Sequence, residues 1–132
     1  MLRCVFASII AAVAAALVVA VAPAAAQTPR NFPATALRGE IVVVQPPELA
    51  LNGQAARLAP GARIRGPNNL TLVSGALAGQ RLAVHYTLDP HGLLLDVWVL
   101  TREELARRPW PSTPAQAAAW RFDAAAQTWT RP

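Results

Sequence analysis

Lysine is absent from this 132-residue chain, and all 12 basic side chains are arginines. That removes a phosphate-loop lysine, a Schiff-base lysine and a Ser-x-x-Lys nucleophile pair from the chemistries open to it. Cysteine occurs once, as Cys4, ahead of a long apolar run. A lipid-anchored protein would carry its cysteine directly after such a run. Once a leader is removed, no disulfide, thiolate metal site or cysteine nucleophile is left. Histidine is limited to His85 and His91, tyrosine to Tyr86, and the acids number seven.

What is present begins with an export pattern. Met1-Leu2-Arg3 is a short positive start, Val5 to Val21 is apolar apart from Ser8, and Pro23 ends the run. Ala24-Ala25-Ala26 then offers the small-x-small site a signal peptidase needs, which predicts a leader over 1–26 and a mature start at Gln27. The rival is an uncleaved anchor, since the run nearly suffices to span a bilayer; Pro23 and the alanines favour cleavage. The expected location is periplasmic or secreted, with no stable membrane anchor afterwards. A mature chain of this size can be held by its core alone. It stays basic, but its arginines are spread out. This fits contact with an anionic envelope component better than a clustered nucleic-acid footprint.

Residues 27–36, with Pro29 and Pro33, read as a flexible lead-in. Leu37 to Val44 ends in a β-branched run and is stopped by Gln45-Pro46-Pro47. Glu48 to Leu51 and Gln54 to Leu58 flank Asn52-Gly53, a strong hairpin signal. Pro60-Gly61 reads as a further turn, Ala62 to Arg65 alternates, and Leu70 to Ser74 resumes after Gly66-Pro67-Asn68-Asn69. Arg81 to Leu88 is the clearest strand, with Leu82, Val84, Tyr86 and Leu88 on one face and Arg81, Ala83, His85 and Thr87 on the other. Leu93 to Leu100 is nearly all apolar, as in a strand covered on both faces. Thr101-x-x-Glu104 is a capping box opening a helix to Arg108, and Thr113-Pro114-x-Gln116 starts a second one. Trp120 to Phe122 and Thr128 to Thr130 read as a terminal hairpin.

Between Arg81 and Leu100 two rules disagree. Asp89-Pro90-His91-Gly92 favours a type I turn with Gly92 left-handed, pairing Asp89 with Leu93 and setting Tyr86 opposite Asp96. Hydrophobic matching favours a slipped register with His85 opposite Asp96. The turn chemistry is local and specific, so the Tyr86–Asp96 register is expected.

Short strands at regular spacing followed by small helices predict a mainly β protein, a small barrel of OB-like or SH3-like type. Arg38-Gly39-Glu40-Ile41-Val42-Val43, Leu51-Asn52-Gly53-Gln54, Gly79-Gln80-Arg81-Leu82-Ala83-Val84 and Gly92-Leu93 together resemble exported bacterial OB-like barrel proteins of unassigned function. The resemblance spans about 37–101 and implies an antiparallel barrel. The segment 102–132, rich in tryptophan, is expected to pack on it as an extension.

Candidate chemistry is thin. His85 and His91 with Asp89 and Asp96 fall short of a convergent ligand set, so no metal or cofactor is expected. Ser74 and Ser112 lack a nucleophile elbow, and the spacing of the acids selects no pair for glycoside hydrolysis. Trp98 is read as core. Trp110, Trp120 and Trp129 are expected to fold back and plug the barrel. The alternative is that Trp110 with Arg107 and Arg108 forms a cationic aromatic surface for a ligand. Arg57, Arg63 and Arg65 are further candidate binding residues on the strand 2–3 face of an OB-like barrel. The function expected is a non-enzymatic binding or accessory module of the cell envelope. Alternatives are a small hydrolase of envelope polymers, with acids near Glu40 and Asp96, and single-stranded nucleic-acid binding. The last is disfavoured because Gln54 to Leu70 has no aromatic to stack a base.

Overall fold

A computed structural model describes residues 29–132, so the expected leader and its cleavage site lie outside the described residues. Five strands close a barrel: β1 (Leu37–Gln45), β2 (Glu48–Leu51), β3 (Gln54–Arg65), β5 (Arg81–Leu88) and β6 (Leu94–Val99). A two-residue strand, β4 (Thr71–Leu72), extends β3 outward, and one 3₁₀ turn covers Ser74–Leu77. β1, β2 and β3 form an antiparallel meander, β5 pairs antiparallel with both β1 and β6, and the closing pair of β3 with β6 is parallel.

Local chemistry explains most of these elements. The β2–β3 turn places Asn52 and Gly53 at φ 52° and 81°, the left-handed conformations a two-residue hairpin requires. Pro60-Gly61 does not make a turn between two strands as expected. β3 runs straight through it as one 12-residue strand. The register with β6 shifts between Leu58 and Arg63, and Gly61 has φ 78°. Proline and a left-handed glycine bend the strand at a barrel corner: its first half pairs with β2, its second with β6 and β4. Leu70 to Ser74 gives only the short β4, because Ser74 already enters the 3₁₀ turn.

The barrel interior is apolar, filled by Ile41, Val43, Leu49, Leu58, Ile64, Val84, Tyr86, Leu94, Val97 and Val99, with Leu77 contributed by the 3₁₀ turn. Gly39 is set by packing: a Cβ there would come within 3.0 Å of Leu51 Cδ1 and of Tyr86 Cε1. The Tyr86 ring occupies that space, and its hydroxyl donates to the Ser112 carbonyl at 3.3 Å.

The β5–β6 hairpin follows neither expected register along its whole length. Asp89 N donates to the Leu93 carbonyl at 2.8 Å, Gly92 has φ 78°, and Leu88 faces Leu94, as the turn chemistry demands. A bulge then intervenes, after which Tyr86 faces Val97 and His85 faces Trp98. The expected Tyr86–Asp96 pair is therefore absent. Asp96 N instead donates to Thr87 Oγ1 at 3.1 Å. The extra residue reconciles the two rules, because it lets Leu94, Val97 and Val99 all face the interior while the turn keeps its own geometry.

Two helices follow. α1 (Arg102–Leu105) has the expected capping box, with Thr101 Oγ1 accepting from Glu104 N and the Glu104 carboxylate accepting from Thr101 N. It stops earlier than Arg108. α2 (Pro114–Ala119) starts from Thr113 with proline in its first turn. β7 (Arg121–Asp123) and β8 (Thr128–Thr130) form the terminal hairpin. Among the described residues no helix is long and apolar enough to cross a membrane.

A second core lies on the outer side of the wall, formed by Phe32, Ala36, Trp98, Leu100, Trp110 and Trp129, with Leu105, Trp120 and Phe122 packed against it. The later tryptophans thus cover β5 and β6 from outside and do not plug the barrel. The lead-in is also corrected from Arg30 onward: Phe32 and Ala36 are buried. The Gln127 side chain clasps Phe32, accepting from its N–H at 2.8 Å and donating to its carbonyl at 3.3 Å.

Candidate functional site

Three titratable side chains with displaced equilibria, Arg38, His85 and Glu104, collect under this second core, while Tyr86, raised by burial, lies inside the barrel. On the outer face, Arg38 of β1 faces His85 of β5, which faces Trp98 of β6, in one cross-strand row. His85 is 1% exposed. Trp110 stacks on its ring at 4.1 Å between centroids, and Phe32 meets it edge-on at 4.4 Å. The Arg38 Nε donates to His85 Nε2 at 3.2 Å, which leaves the ring proton on Nδ1, where no acceptor lies among the described residues. Burial, and then the charges of Arg38, Arg30 and Arg107, push the His85 pKa down to about 2. The imidazole is therefore neutral at physiological pH.

Arg38 also closes the end of α1, donating to the carbonyls of Glu104 and Arg107 at 2.8 Å each. Burial and then the neighbouring Arg108 lower its pKa to about 10, with Arg107 adding to the fall and Glu104 opposing it. Glu104 is the buried carboxylate of the described region. Arg30 grips it through two nitrogens, with Nε to Oε2 at 2.9 Å, and donates also to the carbonyls of Gly66 and Val99. Burial raises the Glu104 pKa, but the hydrogen bonds from Arg30 and Thr101 outweigh it and hold the group below its usual range.

The expected binding residues do not converge. Trp110 is buried: its Nε1 donates to the Ala36 carbonyl at 3.0 Å and its face is covered by His85, so it offers no ligand a stacking surface. The cation over Trp110 is Arg38, at 5.5 Å, and not Arg107 or Arg108. Arg107 is half-buried, whereas Arg108 is exposed. Arg57 is exposed opposite Glu48 on β2. Arg63 and Arg65 lie past the bend of β3, opposite Asp96 and Trp98, so the three arginines form no single patch. His91 is exposed at the turn tip, far from the sealed His85 environment.

One open surface does sit on the expected strands. A shallow groove of about 580 Å³ runs over β2 and β3, lined by Val44, Glu48, Leu49, Ala50, Ala55, Ala56 and Arg57. Val44 is 65% exposed there, and the small side chains leave the backbone relief open. Sequence reasoning missed Arg30, Phe32, Arg38 and Gln127. Their long-range partners lie 36 to 95 residues away in the chain, and no local periodicity marks such contacts. Arg38 carried the one usable signal, sharing the outward face of the sheet with His85. No family model matches the chain, and neither a curated protein nor a solved structure is found similar to it.

Proposed function

We propose that the chain is exported and works in the cell envelope as a non-enzymatic binding or accessory module, on an OB-like barrel that contacts its partner through the β2–β3 groove. The observation carrying this reading is the fate of Glu104. A hydrolase of envelope polymers needs a carboxylate with raised pKa in an open cleft. Here the buried carboxylate is held low and engaged on both oxygens by Arg30, with Thr101 sharing one of them. His85, a second displaced group with acid–base chemistry, is sealed under Trp110 and Phe32, and the Tyr86 hydroxyl, raised by burial, donates to the Ser112 carbonyl. The OB-like assignment draws support from the strand order, a β1–β2–β3 meander closed by a parallel β3–β6 pair. The β2–β3 surface carries small apolar residues flanked by Glu48 and Arg57, suited to contact and not to base stacking.

The test is to export the full chain with a C-terminal tag, record its intact mass, and sediment it with isolated envelopes. A mature species starting at Gln27 that co-sediments, and an Ala50→Arg variant that folds but does not, are the expected results. Retention of Met1–Ala26 in membranes, equal sedimentation of Ala50→Arg, or release of fragments from envelope polymer would overturn the reading.

A further inference from the structure

A second open surface lies away from the β2–β3 groove, where the Arg108–Pro109 segment meets the end of β8. It is a cleft of about 520 Å³ lined by Arg108, Pro109, Trp129, Thr130 and Arg131. We propose that this cleft binds a phosphate monoester, held between the guanidinium groups of Arg108 and Arg131.

Two observations support the assignment. First, neither guanidinium is engaged: the ion pairs among the described residues are Arg30–Glu104 and Arg81–Glu40, and Arg108 and Arg131 make no side-chain hydrogen bond there. The Arg131 guanidinium lies over the Trp120 ring at 5.2 Å, a contact that orders the side chain while leaving its donors unoccupied.

Second, no acidic side chain is among the residues lining the cleft. Glu104 is taken by Arg30, and Asp123 turns its Oδ1 to the backbone N–H groups of Ala125 and Ala126. Arg107 and Arg108 both bear electrostatically on Arg38. Arg121 borders an adjoining depression that shares Thr130 and Arg131 with the cleft.

Two arginines match a monoester better than a carboxylate. A phosphate monoester carries nearly two negative charges at neutral pH, and its oxygens suit the arginine fork. The phosphate group can be that of a soluble monoester, for which inorganic phosphate is the probe, or that of a phosphatidate headgroup in a membrane.

The purified protein is titrated calorimetrically with inorganic phosphate, and sedimented with phosphatidylcholine vesicles with and without phosphatidate. Saturable binding of phosphate identifies the free source. Sedimentation only with phosphatidate vesicles identifies the headgroup. Either supports the cleft if Arg108→Gln with Arg131→Gln weakens binding by about tenfold or more while Arg63→Gln with Arg81→Gln leaves it unchanged. Should the double variant fail to fold, Thr130→Glu places a negative charge in the same cleft and is expected to abolish binding. Binding of neither probe at matched ionic strength, or equal weakening in both arginine pairs, overturns the proposal. Because the β2–β3 reading is tested by Ala50→Arg, the two can fail independently.

Discussion

His85 shows how one side chain couples the stability of this protein to acid. Its imidazole is neutral because burial excludes the charged form and because Arg38 already donates to Nε2. Its folded pKa, about 2, lies below the unfolded value of 6.5. The stabilisation is therefore complete above pH 6.5 and is lost as the pH falls toward 2. Glu104 acts in the same direction but lower, since its pKa is depressed from 4.5. We expect the thermal midpoint to decline already between pH 6.5 and 4.5, where His85 alone of this pair responds. His85→Gln, whose amide oxygen can still accept from Arg38, should flatten that interval and leave the steeper decline below it. An unchanged slope in the variant, read by calorimetry across pH, would show that His85 is not the acid-sensitive group.

At the scale of the element, the β5–β6 hairpin turns on a single extra residue. Thr87 is buried, and its Oγ1 accepts the Asp96 N–H that the bulge removes from the strand ladder. Thr87→Val keeps the shape and deletes the acceptor, and should cost about 1–3 kcal/mol in chemical denaturation. A cost near zero would mean that water serves the amide as well. The sequence made the turn legible, since Asp89, Pro90 and Gly92 each hold the position their conformational preference requires. It also made the two faces of β5 legible by simple alternation. The bulge was not: beyond it His85 meets Trp98, a pairing in neither expected register, and no local signal marks the extra residue. Pro60-Gly61 misled for a related reason: proline and glycine mark a break in direction, and only the closed barrel decides between a turn and a bent strand.

At the scale of the whole molecule, the barrel was readable and the second core was not. Alternation identifies inward residues such as Val84 and Tyr86, whereas Phe32, Trp98, Trp110 and Trp129 share no period. Arg30–Glu104 joins the N-terminal segment to α1 and, through the carbonyls of Gly66 and Val99, to the ends of β3 and β6. Glu104→Gln removes one charge of a buried pair and leaves Arg30 uncompensated, which should cost about 3–5 kcal/mol by denaturant unfolding. A loss below that of an exposed ion pair would show that solvent reaches the pair. The Gln127 clasp on Phe32 carries a consequence for the order of events during synthesis. Its two partners are 95 positions apart, so an earlier segment is docked by one that emerges 95 residues later. A barrel finished at Leu100 must wait, with His85 and Trp98 bare on its flank, until Trp129 has left the ribosome or the export channel. During that interval the outer wall of β5 and β6 is a sticky, uncovered sheet, and a chain cut short before its final hairpin would be marked for chaperone or protease before it could serve any partner.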